Sequence, residues 1–291
     1  MGSRDLNRAS YTDRLETYDF GRVSATALGP VIGRGELTDI PFAKEILLYL
    51  QERSQPPSGE FVKGAREHAA FFEARFKAVS HLLVEQGATQ IFELASGFSP
   101  RGLDPAFHSV THVEVDLPGM IKQKREMVIA LLGAIPSNLK FCSASVLNRD
   151  ELALGLTGFR KEPVAVTSEG LLRYLTFEEK SQLAGNVRQV LSIYGGVWIT
   201  PDIHLRKLAP ERKGQTGVDW SFAAQLGRDI DANYFDDFAH ARSFFEDCGF
   251  RVEERPLLEG IRQRVISLPL ASQELLAELE NRRIYMMTVR P

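Results

Sequence analysis

Residues 91–101 read IFELASGFSPR, and the fold follows from this stretch. An apolar run carries an acid, Glu93, near its end and is followed by the small residues Ala95, Ser96 and Gly97. A buried strand therefore opens into a turn whose backbone can approach a ligand that a larger Cβ would push away. Further on, Asp116 closes a second strand-like run over 111–115. An acid at the tip of the second strand of a βαβ unit is placed to accept hydrogen bonds from both hydroxyls of a ribose. The pair points to an adenosine-containing cofactor.

The dinucleotide fingerprint G-x-G-x-x-G is missing, because Phe98, Ser99, Pro100 and Arg101 intervene between Gly97 and Gly102. A pyrophosphate is held by bare backbone amides at a helix start. An acidic strand end before a single close-packed glycine suits instead a ligand with an ammonium, a sulfonium and no phosphate. That ligand is S-adenosylmethionine (SAM), with S-adenosylhomocysteine as its product. The absent glycines argue against the alternative of a nicotinamide oxidoreductase on a similar sheet.

Outward from the turn, strands and helices alternate. Phe71, Phe72, Phe76, Val79, Leu82 and Leu83 recur at three- and four-residue steps, which predicts an amphipathic helix leading into the first strand, with Arg75 near its apolar stripe. Downstream the pattern predicts a helix over 121–132, a strand over 139–142, a helix over 150–154, a strand over 164–167, a helix over 177–194 and a strand over 197–200. Such alternation means a parallel sheet with right-handed crossovers. The tail departs from it: 250–255 and 283–289 read as strands around a short helix over 271–281, which predicts a terminal strand inserted antiparallel. The expected class is α/β, a class I methyltransferase Rossmann-like seven-stranded sheet with an antiparallel last strand and an N-terminal helical extension.

Upstream, 24–28 and 42–50 are expected to be helices separated by a glycine-rich turn over 29–35, and 51–59 (QERSQPPSG) is expected to be a loop. Residues 1–70 are read as a helical cap, 71–291 as the catalytic domain, and the segment around 205–238, mixed in polarity, as a lid or acceptor wall.

Composition sets the limits. The 291 residues are 44% apolar and 25% charged with a net charge of -3, enough for one large α/β domain. No basic face is provided for polyanions, so nucleic acid is not an expected partner. Cys142 and Cys248 have no metal-like spacing and fit a reduced compartment, no metal site is expected, and no apolar run reaches the length of a membrane span. A cytoplasmic protein is expected.

Several strings in order carry a family resemblance: SATA at 24–27, DIPFA at 39–43, EARF at 73–76, the turn at 93–101, VEVDLP at 113–118 and SEGLLRYL at 168–175. The chain resembles the leucine carboxyl methyltransferase family, whose bacterial members include O-methyltransferases of polyketide and other secondary metabolism. The resemblance implies SAM-dependent methyl transfer to a carboxylate or hydroxyl oxygen of a small-molecule or carrier-bound acceptor. It assigns Arg75 to the carboxylate of the cofactor's methionine part, where a guanidinium fork is apt. It further assigns Gly97 to close backbone approach, Asp116 to the ribose, and Glu93 and Glu169 to the cofactor site, Glu169 facing the ammonium or methionine portion.

One departure stands out. The family commonly has an Asp-Leu pair after the third strand for the adenine amino group, and this chain has Ser145 and Val146 in the string Ser143-Ala144-Ser145-Val146. A serine contact is weaker than one to a carboxylate. A hydroxyl acceptor would benefit from a general base, and Asp202 and His204, just after the fifth strand, are the candidates. Tyr174 and Arg173 are candidates for the acceptor cleft. Plainer readings remain for each: a surface arginine at 75, a helix cap at Asp116, a cap at Asp202 with an exposed histidine beside it. A non-catalytic SAM-binding or scaffold protein on the same fold is the second functional alternative.

Overall fold

The computed structural model describes residues 25–53, 59–206 and 231–291. Its described elements, in chain order, are α1 (Ala25–Leu37), α2 (Ala43–Gln51), α3 (Gly59–Glu67), α4 (Ala69–Glu85), β1 (Gln90–Leu94), β2 (Thr111–Asp116), α5 (Pro118–Leu132), β3 (Leu139–Ser143), α6 (Arg149–Gly155), β4 (Val164–Ser168), α7 (Phe177–Tyr194), β5 (Gly196–Thr200), α8 (Phe238–Asp247), β6 (Phe250–Pro256), α9 (Gln273–Asn281) and β7 (Arg283–Val289). Most of the expected lid lies outside the described residues.

The strands form one sheet in the order β3-β2-β1-β4-β5-β7-β6. Strands β1 to β5 are mutually parallel, and β7 runs antiparallel to both β5 and β6. The order reverses between β1 and β4, and ligands gather beyond the carboxyl ends of the strands at such a switch point. Register places Leu94 opposite Val115 and Ser168, and Asp116 opposite Ser143, so the ends of β1 to β4 share one edge.

Each face of the sheet is covered by what its alternating side chains can bury. Phe92, Leu94, Val113, Val115, Val166 and Trp198 pack against α6, α7 and α8. Ile91, Ala165, Val197 and Ile199 pack against α4 and α9. The Trp198 indole, fully buried, gives its N–H to Ser168 Oγ at 3.2 Å, which satisfies the polar atom such a large side chain brings inside. A capping box at Thr176 and Glu179 starts α7.

The glycine-rich stretch is not a turn. Helix α1 runs unbroken through Gly29, Pro30, Gly33 and Gly35. A Cβ at Gly33 would stand 2.6 Å from Phe72 Cδ2, and one at Gly35 would stand 2.6 Å from Leu47 Cβ. These glycines let α1 press against α4 and α2. Val31 and Ile32 of α1 share a third core with Ile46, Leu47 and Leu50 of α2 and Met120, Met127 and Val128 of α5. An additional helix, α3, precedes α4, the two separated only at His68.

Candidate active site

Strand β1 ends in a left-handed turn, with φ of 50° at Ala95 and 48° at Gly97. The Gly97 amide donates to Asp116 Oδ2 at 2.7 Å, and the Leu117 amide donates to Oδ1 at 2.8 Å. The carboxylate of Asp116 thus pins the first turn to the second strand while each oxygen keeps a free lone-pair direction for a hydroxyl donor. Burial raises its pKa against the opposing pull of those two amides. Asp116 and Gly97 thus meet at the ends of β1 and β2. Ser96 Oγ, beside them, is buried without a hydrogen-bond partner.

Beneath the turn lies a buried ionic network. Arg101, fully buried, reaches Glu93 Oε1 at 2.5 Å through Nη1 and Glu169 Oε1 through Nη2, and its Nη2 also donates to Phe76 O. His112 Nε2 lies 2.9 Å from Glu93 Oε2, and Lys124 Nζ lies 2.6 Å from Glu114 Oε2. Burial alone would raise the Glu93 pKa, but Arg101 and His112 outweigh it and hold the carboxyl well below its ordinary value. Glu114 goes the other way, pushed up chiefly by burial despite Lys124. Ligand atoms of Glu93, His112 and Glu114 lie within 4.8 Å of one another, a spacing a metal could use. The cations that fill this cluster are the chain's own Arg101 and Lys124. Glu93, assigned to the cofactor site, has both its oxygens engaged under the turn by Arg101 and His112. Glu169 shares Arg101 and keeps 13% of its side chain exposed.

The edge beyond β4 and β5 is cationic. Arg75 is buried on α4, not a surface residue, with its guanidinium over the Phe71 ring at 5.0 Å. Arg282, just before β7, lies over the same ring at 4.5 Å and pairs with Glu278. From α1, Arg34 comes close enough to be influenced by Glu169, Arg75 and Arg101, and burial lowers its pKa to about 10 despite Glu169. Arg75 Nε is buried without a hydrogen-bond partner.

Asp202, the expected base, is held by the turn that follows β4. Its carboxylate, fully enclosed, accepts from the Gly170 amide at 2.7 Å on Oδ1 and from the Leu171 and Leu172 amides at 2.7 and 3.4 Å on Oδ2. Backbone amides therefore fix the orientation of this carboxylate. His204 is buried, not exposed on a loop, and stacks on Tyr234 at 5.7 Å between ring centroids. Burial, then Arg173, Arg282 and Arg75, hold its pKa well below the ordinary value, so the ring is neutral and weakly basic at neutral pH.

Arg173 and Tyr174, expected at the acceptor cleft, sit on the short turn after β4. Arg173 Nη2 donates to Tyr234 Oη at 2.8 Å, and Asn233 Nδ2 donates to Arg173 O at 3.1 Å. Tyr174 is buried beside them. Lys180 closes the same corner, donating to Leu175 O at 2.6 Å and Asn233 O at 2.8 Å over the Phe177 ring. Burial lowers its pKa to about 7.

At the third strand, the Ser145 amide donates to Glu151 Oε2 at 2.7 Å, and Ser145 Oγ accepts from the Leu147 amide at 3.3 Å. Val146 is buried in the core of that face, and its carbonyl accepts from Asn186. Glu151 supplies a carboxylate next to the position where the chain lacks the family's aspartate. Residues that sequence reasoning missed are thus Arg34, Arg101, Glu151, Lys180, Tyr234 and Arg282. For Arg101 a signal was present, its place within the turn string; the others become visible only through neighbours distant in sequence.

A sheet of this order with an antiparallel seventh strand is the class I methyltransferase fold, and solved structures agree. A protein of the DUF574 family from Streptomyces avermitilis superposes with a TM-score of 0.56 at 18% identity, covering 93% of this chain and 98% of that one. A protein from Thermobifida fusca, provisionally assigned as a methyltransferase, gives 0.53 at 16% identity, covering 94% and 96%. At that identity they speak to the fold alone.

The leucine carboxyl methyltransferase family model matches residues 30–188, more than half of the chain. The chain belongs to that family of SAM-dependent methyltransferases. A curated relative from Mycolicibacterium smegmatis, provisionally assigned as an S-adenosyl-L-methionine-dependent methyltransferase, is 33% identical over 193 residues, 65% of this chain. The chain spans 64% of that relative's length.

Proposed function

We propose that this protein binds SAM along the carboxyl edge of β1 to β4 and methylates a carboxylate oxygen of a small-molecule or carrier-bound acceptor. Three features of the edge fit the cofactor. Asp116 offers acceptor positions for the ribose hydroxyls, Gly97 brings the backbone close in a left-handed turn, and Arg75 holds a buried Nε without a hydrogen-bond partner. The bound cofactor supplies a methyl group made electrophilic by its sulfonium. An acceptor oxygen forms a bond to that carbon as the carbon–sulfur bond breaks, the electron pair going to sulfur, and the opposite charges of the reactants cancel.

The chain's residues contribute placement and exclusion of water. Arg75 takes the methionine carboxylate, Asp116 the ribose, and Glu169 the ammonium. Arg173 and Arg282 offer positive charge to an anionic acceptor.

The observation that carries the carboxylate over a hydroxyl is the state of the two candidate bases. Both Asp202 oxygens already accept backbone amides, and His204 is surrounded by arginines that weaken it as a base. A phenol or alcohol needs its proton removed, whereas a carboxylate arrives without one. The test is transfer of a labelled methyl group from SAM to a panel of carboxylic acids and phenols. Label released as methanol by mild alkali marks an ester and supports the reading; an alkali-stable ether, or no binding of SAM by folded protein, overturns it.

A further inference from the structure

Asp202 lies on the loop after β5 yet touches three other parts of the edge. Its own amide donates to Thr200 Oγ1 at 3.3 Å, and that hydroxyl donates to Ser168 O at 3.0 Å, which locks the ends of β4 and β5 together. Its carboxylate takes the amides of the turn that follows Glu169. It also faces Arg75, with Nη2 at 3.6 Å from Oδ1.

That last distance matters because it exceeds hydrogen-bond length, about 2.7–3.2 Å for N–H to O. The pair attracts without consuming the guanidinium's donors. Gly170 closes the arrangement: its φ is 75°, and a Cβ there would lie 3.2 Å from Arg75 Nη2. The guanidinium therefore rests between a bare glycine, a buried carboxylate and the Phe71 ring, held in place with donor capacity left over.

We infer that Asp202 is a positioning residue that aims Arg75 at the cofactor's carboxylate while fixing the turn that carries Glu169. This rests on the proposed SAM site. A buried arginine with no anion beside it would be costly, and a fully hydrogen-bonded one would be useless as a ligand. A partner at ion-contact distance that spends its lone pairs on backbone amides meets both needs. The two ends of the cofactor cleft are thereby linked through one carboxylate.

The experiment is calorimetric titration of S-adenosylhomocysteine and of adenosine into the full chain and four variants. Asp202→Asn keeps the volume but removes the charge and turns one donor toward the backbone amides. It should weaken S-adenosylhomocysteine at least about tenfold and leave adenosine, which has no carboxylate, within about twofold of the parent. Combining it with Arg75→Ala should add little to the loss from Arg75→Ala alone, since both act through one contact. Equal loss of both ligands, or full additivity, reduces Asp202 to a scaffold residue and overturns the inference. Gly170→Ala provides an arm that keeps the carboxylate: the added methyl displaces Nη2, and the same selective loss is expected, whereas parent-like affinity for S-adenosylhomocysteine contradicts the aiming role. If the parent itself binds neither ligand, the SAM site is wrong and not merely the part assigned to Asp202.

Discussion

The two ionic clusters at the sheet's edge are built in opposite ways. Under the β1 turn, the carboxylates of Glu93, Glu114 and Glu169 meet Arg101, Lys124 and His112 at contact distance, so acids and bases are matched inside the fold. Beyond β4 and β5, Arg75, Arg173, Arg282 and Lys180 surround a neutral His204, with Asp202 facing Arg75 and Glu278 paired to Arg282. The first cluster is closed and stiffens the turn. The second keeps cationic capacity in hand and suits a site that must receive anionic groups.

If the first cluster is closed, breaking it should cost the most. Arg101→Met leaves Glu93 and Glu169 without their shared cation and should lower unfolding free energy by about 3–5 kcal/mol, measured by urea denaturation. A loss below about 1 kcal/mol would mean that the network is hydrated and the contrast overstated.

Lys180 probes the second cluster through pH. The fold lowers its pKa from 10.5 to about 7, so between those values the unfolded chain binds more protons and stability rises with pH. The slope contributed is at most about 1.4 kcal/mol per pH unit. Lys180→Met should remove that rise, seen as the difference between parent and variant denaturation curves from pH 7 to 9. An unchanged difference would place the ammonium in water.

Asp116→Ala should weaken SAM and adenosine alike by about 1.5–3 kcal/mol, because both carry the ribose. A loss of apo stability with unchanged affinity would make Asp116 a brace between Gly97 and Leu117 and nothing more. Gly102→Ala tests the packing of the closed cluster from the outside. A Cβ there would stand 2.6 Å from Glu114 Oε1 and 2.7 Å from Leu139 Cδ1, and overpacking of that kind costs about 1–3 kcal/mol. A parent-like melting temperature would show slack where close contact is expected.

The sheet was legible because its strands are short apolar runs separated by helical periodicity, and because 283–289 follows no crossover that could make it parallel. Asp116 and the turn were legible for the same reason: local order places them at strand ends. What was not legible depends on contacts distant in sequence. The glycines of α1 look like a turn until Phe72 and Leu47 are seen against them. Arg101 looks like part of a loop until Glu169 joins Glu93 on its fork. Asp202 has the right residue type and place for a base, and only the amides of 170–172 give it another task.

The account's central claim is that the cationic edge receives the methionine end of the cofactor while the turn receives the ribose. Titrating Arg75→Ala with SAM and with adenosine tests it most directly. A buried guanidinium–carboxylate contact is worth about 1.5–3 kcal/mol, so SAM affinity should fall about tenfold or more while adenosine binds as to the parent. Parent-like binding of SAM, or an equal loss of adenosine, would contradict the claim.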